Sequence, residues 1–221
     1  PMSAASPRKP YGGFTTVTER GELLLIQFAR VPVSGRVKTR LIPALGEAGA
    51  CQLHINLMQH CCQRLLAAEL APVELWLDSE VEHPAVSACR AQGAALRCQR
   101  GADLGQRMHH ALVDGLARYR RVVLVGSDCP GIDGQYLRRA NLGLDSVPLC
   151  LGPATDGGYV LIGARRSDPG LFEGVQWGAD TVLADTLANI GRLGWGVEVL
   201  SELADIDRPE DLPVWQAITA P

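Results

Sequence analysis

The sequence lacks several features, and each absence narrows what the chain does. No apolar run approaches the roughly 20 residues needed to cross a bilayer. The tightest cluster, Leu23 to Ile26, is only long enough for a buried strand. There is no excess of basic charge: 21 Lys and Arg against 24 Asp and Glu leave a formal charge of −3. A global field for attracting nucleic acid is therefore missing, although a small anion needs only a local basic site. Two common nucleotide fingerprints are also missing. There is no GxGxxG, and Gly35-Arg-Val-Lys-Thr39 lacks the second glycine of a P-loop. These absences argue against a nicotinamide-type oxidoreductase and a P-loop kinase.

Seven cysteines are present (Cys51, Cys61, Cys62, Cys89, Cys98, Cys129, Cys150), yet no CxxC pair occurs. On the helix carrying Cys51, His54, His60 and Cys61, no second pair completes a tetrahedral zinc set. His109 and His110 point to different faces of their helix and make a poor chelate. The odd cysteine count, with no secretory leader, predicts reduced thiols in a cytoplasmic protein.

The remaining composition is that of a globular domain, with 47% apolar and 20% charged residues over 221 positions. That length suits one domain with a sizeable core. Residues 1–20 are rich in Pro, Ser, Thr, Gly and basic side chains, without apolar periodicity. They are expected to be a flexible lead-in, and residues 21–221 a single domain.

Apolar patterning predicts strands over 22–29, 73–77, 94–98, 121–126, 147–151, 159–162 and 197–200. Helices are predicted over 47–70, 84–92, 103–118, 134–140, 181–190 and 209–218, with Asp103 as an N-cap. Strands alternate with helices for two-thirds of the chain. This implies an α/β fold with a mostly parallel, doubly wound sheet. Ligands in such sheets bind beyond the carboxyl ends of the strands.

Four polar segments carry candidate chemistry. Gly35, Lys38, Thr39 and Arg40 follow a buried strand and precede a helix. They read as a phosphate-binding loop or as a solvated basic turn. Asp128 follows the apolar strand 121–126, so its carboxylate is expected at the ligand edge of the sheet. It suits Mg2+ or Mn2+, which take one or two carboxylates plus phosphate oxygens; the alternative is a cap on the next turn. Asp156, Gly157 and Gly158 form either a ligand-side loop, where Asp156 binds a hydroxyl or positions a nucleophile, or a tight hairpin. Asp205 and Asp207 share a metal, or one of them caps the closing helix.

Taken in order, the motifs resemble a known family. FARVPVSGRVKTRL from Phe28 to Leu41 resembles the opening of bacterial glycosyltransferase-A-like proteins of the arsenosugar-biosynthesis type. The likeness continues through GADLGQRM from Gly101, GSDCPG from Gly126, GPATDGGY from Gly152, WGADT from Trp177 and DIDRPEDL from Asp205. It spans about Leu23 to Leu212. The resemblance implies the nucleotide-diphospho-sugar transferase fold, a three-layer α/β/α sandwich around a mixed sheet. That fold is similar to the one in phospholactate and molybdenum-cofactor guanylyltransferases.

Carried over by position, the resemblance implies that the first strand and loop (Phe28, Ala29, Arg30, Gly35, Lys38, Thr39, Arg40) cradle a nucleotide; Arg107, at a helix start after the third strand, is expected to add a contact. It implies metal ligation by Asp128 and Asp207, with Asp205 the weaker match. On the acceptor side stand Asp156, Gly157, Gly158, Trp177 and Thr181. Trp177 either offers a flat face to a sugar or base or packs in the core, and Thr181 either meets the acceptor or caps its helix. Asp128, Lys38 and Asp156 are the catalytic candidates. Two departures are plain: the loop after the first strand is not glycine-rich, and Gly178 stands where serine is common. The expected reaction is metal-dependent glycosyl transfer from a nucleotide sugar to a small acceptor. The alternatives are nucleotidylyl transfer to a phosphorylated acceptor with release of pyrophosphate, and nucleotide-sugar binding without turnover.

Overall fold

The computed structural model describes residues 20–219; the expected lead-in lies, but for Arg20, outside them. Seven strands form one sheet: β1 (Gly21–Ala29), β2 (Val73–Leu77), β3 (Ala95–Cys98), β4 (Tyr119–Val125), β5 (Leu149–Pro153), β6 (Tyr159–Ala164) and β7 (Val197–Val199). Their order is β3-β2-β1-β4-β6-β5-β7. Only β6 runs antiparallel to its neighbours β4 and β5; the other pairings are parallel. The mostly parallel, mixed sheet expected from the sequence is therefore what forms.

β1 is buried from Leu23 to Ala29, because helices cover both faces of the sheet and every second side chain enters a different core. Leu23 and Leu25 join a core built with α1 (Ile42–Ala67), α2 (Pro84–Ala91) and α4 (Gly134–Ser146). Leu24, Ile26 and Phe28 join the opposite core with α3 (Leu104–Arg118) and α5 (Val182–Arg192). A third, smaller cluster packs Leu41, Ala50, Leu53 and Leu57 around Ile206. That cluster fastens the segment before the closing helix α6 (Leu212–Thr219) onto the start of α1.

Several boundaries differ from the pattern-based ones. The predicted helix start at Glu47 reflects a real break: Gly46 has φ 70° and ψ 167°, separating one short turn from the long run of α1. The run ends at Ala67 rather than Leu70, just before Glu69 adopts φ 51°. β4 begins two residues early, at Tyr119. α4 continues to Ser146 instead of ending near Ala140, so β5 starts at Leu149. Its Leu144 is fully buried, and this packing outweighs the weak helix propensity of Asn141 and Gly143. Asp103 does cap α3, accepting from the Gln106 backbone at 2.8 Å.

Candidate functional site

The carboxyl ends of β1, β2, β3 and β4 open into one cleft of about 650 Å³. Phe28, Ala29, Arg30, Lys38, Thr39, Arg40, Arg107, Asp128 and Asp207 all line it. Gly35 does not. Its φ of 78° turns the loop, and a Cβ there would meet the Glu47 carboxylate at 3.3 Å. Thr39 opens a 3-10 turn, Thr39–Leu41, immediately before α1.

Asp128 stands three residues past Val125, the end of β4, after Gly126 and Ser127. The floor beneath it is a buried polar network. Gln27 of β1 donates to the Met58 carbonyl of α1 and to Ser127 Oγ at 2.8 Å; Ser127 in turn donates to the Phe28 carbonyl at 2.8 Å. These bonds tie β1, α1 and the loop after β4 into one rigid base. Asp128 does not cap the following helix; that is done by Asp133, which accepts from the Tyr136 backbone.

Lys38 dominates the electrostatics. It is in the left-handed region, with φ 49° and ψ 41°, and its side chain is only 3% exposed. Its ammonium lies 2.9 Å from Asp128 Oδ1 and 3.6 Å from Asp207 Oδ1, and it also donates to the Ile206 carbonyl. Asp128 Oδ1 is itself buried and makes no geometrically sound hydrogen bond. Its contact with Lys38 is a close charge pair, and the exposure of the Asp128 side chain, 46%, comes from its remaining atoms. Arg40, on the rim, pairs with the other Asp207 oxygen.

Asp207 does not cap the closing turn. Arg208 is the N-cap of the 3-10 turn Pro209–Asp211. The Asp211 carboxylate accepts from the backbone N–H groups of Asp207 and Arg208 at 2.9 and 2.7 Å. Asp207 is thereby left free for the cleft. Ile206, wholly buried, donates its N–H to the Asp128 carbonyl at 2.9 Å, which locks this loop to the strand that carries Asp128.

Across Asp128 a second, smaller pocket of about 220 Å³ is lined by Met108, Tyr159, Trp177, Asp156 and Asp205, and contains no basic side chain. Trp177 serves both readings, since it packs on Phe172 with ring centroids 6.2 Å apart and also lines this pocket. Asp156 forms the tip of the β5–β6 hairpin, accepting from the Gly158 backbone at 2.9 Å. Gly157 approaches protein rather than open space: a Cβ would lie 2.1 Å from the Asp180 carbonyl. Thr181 occupies the N-cap position of α5 but bonds the Asp185 carboxylate at 3.0 Å, outside the pocket lining. Burial, and then the neighbouring Asp156 charge, push the Asp205 carboxyl up to about 6. Burial pushes the adjacent Cys129 thiol up to about 11, which keeps it protonated and inert at neutral pH.

Sequence reasoning passed over Arg36, His54, Asp78 and Gln99, which also line the large cleft. Asp78 accepts from the Val31 backbone at 2.8 Å, and the Gln99 amide donates to the Ala29 and Trp76 carbonyls. Both residues stand immediately after strands, β2 and β3, so the rule that singled out Asp128 also reaches them. His54 donates from Nε2 to the Arg30 carbonyl at 2.9 Å, and burial lowers its pKa.

With this geometry in hand, comparison places the chain among known proteins. A protein from Desulfovibrio desulfuricans G20, described as a candidate nucleotide-diphospho-sugar transferase, is 31% identical, with a TM-score of 0.81 over 90% of this chain and 88% of that one. CMP:2-keto-3-deoxy-manno-octonic acid synthetase complexed with CTP shares the fold at 14% identity, with a TM-score of 0.58 over 90% and 99% of the two chains. Rv0371C of Mycobacterium tuberculosis H37Rv in complex with manganese shares it at 19% identity, with a TM-score of 0.51 over 87% and 97%. No curated protein matches. A family match spans residues 61–179, more than half of the sequence, and the chain belongs to that family, described as "Uncharacterized protein conserved in bacteria (DUF2064)".

Proposed function

We propose that residues 21–221 act as one cytoplasmic transferase unit that moves a glycosyl group from a nucleotide sugar to a small uncharged acceptor, assisted by Mg2+ or Mn2+. The carrying observation is the charge asymmetry across Asp128. The large cleft collects five cations, Arg30, Arg36, Lys38, Arg40 and Arg107, against the carboxylates of Asp78, Asp103, Asp128 and Asp207. The pocket beyond it offers Asp128, Asp156 and Asp205 with no base among its lining. A diphosphate belongs on the first side. A phosphorylated acceptor in this pocket would face its carboxylates directly, with Arg40 and Arg208 only in the acidic pocket that adjoins it at Asp156 and Asp205, at a cost in desolvation and repulsion.

The donor set fits a hard divalent cation. Asp128 and Asp207 come from sequence-distant loops, yet one positive charge, the Lys38 ammonium, already lies within 3.6 Å of both. Asp128 and Asp207 would hold the ion, which when bound would neutralise charge on the leaving diphosphate. Manganese in the complex of the fold relative Rv0371C is consistent with that choice. Lys38, Arg40 and Arg107 bind and orient the phosphates, preorganised by the Gln27–Ser127 floor. Trp177 and Tyr159 present the ring surface for the sugar. Asp205, with its raised pKa, is placed to take the acceptor proton, while Asp156 orients the hydroxyl.

The second reading is nucleotidylyl transfer, which the fold shared with a CTP-bound synthetase supports. The two are separated by product. The protein is incubated with nucleotide sugars or nucleoside triphosphates, Mn2+ and a panel of hydroxyl acceptors. Metal-dependent release of nucleoside diphosphate supports glycosyl transfer. Release of pyrophosphate overturns it in favour of nucleotidylyl transfer. Release of neither, with no nucleotide-induced thermal shift, removes both.

A further inference from the structure

We propose that Lys38 is an exchangeable cation for Asp128 and Asp207: it holds both carboxylates in the free protein and yields them to the divalent ion only when donor phosphates draw its ammonium away. The proposal rests on the reading of Asp128 and Asp207 as metal ligands and adds an order of binding to it.

Three observations carry it. The ammonium has three hydrogens and faces three acceptors: Asp128 Oδ1, Asp207 Oδ1 and the Ile206 carbonyl. One of them, the Ile206 carbonyl, takes a hydrogen bond, and the two carboxylates balance the charge, so the ammonium is neutralised without any ligand. Second, the local charge is closed. Lys38 and Arg40 supply two positive charges for the two carboxylates, so a divalent ion gains little net attraction while both remain. An ion midway between Asp128 and Asp207 would also occupy the space of the ammonium. Third, the backbone of Lys38 is left-handed, an uncommon and strained conformation for a non-glycine residue. Burial of the side chain among acceptors is what sustains it.

Donor phosphates entering the cleft offer Lys38 and Arg40 new partners, with Arg36 and Arg107 already on the same wall. Once the ammonium moves, both carboxylates are exposed to metal. Nucleotide and metal then bind with positive coupling, and the coupling is reciprocal.

The test uses the full chain and Mn2+ alone as probe, followed by electron paramagnetic resonance of free Mn2+. Lys38→Met is expected to bind Mn2+ at least fivefold more tightly than wild type in the absence of nucleotide. Calorimetry in EDTA is expected to show the same variant binding a nucleoside diphosphate at least fivefold more weakly. A lysine that merely braces the loop loses affinity for both. Lys38→Gln, which keeps a donor for the Ile206 carbonyl, replaces Met if the latter does not fold. Adding Asp128→Asn to Lys38→Met is expected to abolish the gained Mn2+ affinity. If Lys38→Met gains no Mn2+ affinity while Asp128→Asn removes what wild type has, the exchange is wrong and the ligand reading survives. Mn2+ binding that ignores Asp128→Asn in both backgrounds overturns the ligand reading and the exchange with it.

Discussion

Ile206→Ala is the sharpest test of how the second carboxylate reaches the cleft. Ile206 is fully buried between Leu41, Ala50, Leu53 and Leu57, and its two flanking aspartates follow wherever it is seated. The substitution removes three buried carbons, worth roughly 2.5 kcal/mol at about 0.8 kcal/mol each. The cavity left in a small cluster adds to this, for a total of about 3 kcal/mol. In a domain of this size each kcal/mol lowers Tm by about 2–4 °C, so a fall of about 6–12 °C is expected. Function should suffer beyond stability, because a loosened Ile206 no longer fixes Asp207 beside Lys38. The nucleotide's affinity gain in Mn2+ over EDTA, read by calorimetry below the melting range, should drop about tenfold, on the order of 1.4 kcal/mol of coupling. Ile206→Val, which keeps most of the packing, should retain that gain. If Ile206→Ala melts early but keeps the Mn2+-dependent gain within twofold of wild type, the cluster does not position Asp207 and the reasoning fails.

Three other perturbations probe the frame around the site. Burial holds the His54 pKa below its ordinary 6.5, so between the two values the unfolded chain binds more protons. The stability this residue permits is complete above pH 6.5 and is lost as pH falls below it. Urea unfolding of wild type and His54→Asn at pH 7 and pH 5 should show the wild type losing more; equal losses would refute it. Gly157→Ala forces a Cβ to within 2.1 Å of the Asp180 carbonyl at a backbone φ of 88°. It should cost more than about 2 kcal/mol in thermal unfolding; a neutral result would mean the hairpin tip is not pressed on α5. Arg118→Met removes the close guanidinium from Glu74, whose side chain is 7% exposed and would keep the Trp76 indole hydrogen bond and the longer Arg97 contact. A loss of about 3 kcal/mol is expected, partly recovered by adding Glu74→Gln.

The sheet was legible because its signals are local and strong. Leu23 to Ile26 and Val122 to Val125 are apolar without interruption, as strands buried on both faces tend to be. The position of Asp128 was legible for the same reason: a carboxylate just past the buried apolar run Val122 to Val125 emerges at the ligand edge of the sheet. Residues whose roles depend on distant partners were not. Nothing near Lys38 in sequence says that its ammonium meets Asp207, because the link runs through Ile206 and its packing on α1. Gly157 and Thr181 show how residue type alone leaves a role open. Their residue types suit a ligand, yet Gly157 makes room for the Asp180 backbone and Thr181 bonds Asp185. Gln99 escaped because β3, half-exposed at the sheet edge, gives only a weak strand pattern, whereas Asp78 follows the fully buried β2 and lay within reach of the rule used for Asp128.

The backbone hydrogen bonds of the loop that carries Asp205 and Asp207 are independent of the exchanging cations. If Asp207 were held only by Lys38 and Arg40, drawing those cations away would release the loop and scatter the second ligand. The contacts are not arranged like that. The Ile206 N–H bonds the Asp128 carbonyl, the Thr155 N–H bonds the Leu203 carbonyl, and Asp211 holds the backbone of Asp207 and Arg208. None of these involves Lys38. Together with the apolar seat of Ile206, they keep Asp205 and Asp207 in place whichever cation neutralises them. The free energy of ordering the loop is therefore met by folding, and the exchange has only to move side-chain charges across a preformed site. That is the condition under which an electrostatic swap is both reversible and fast enough to accompany turnover.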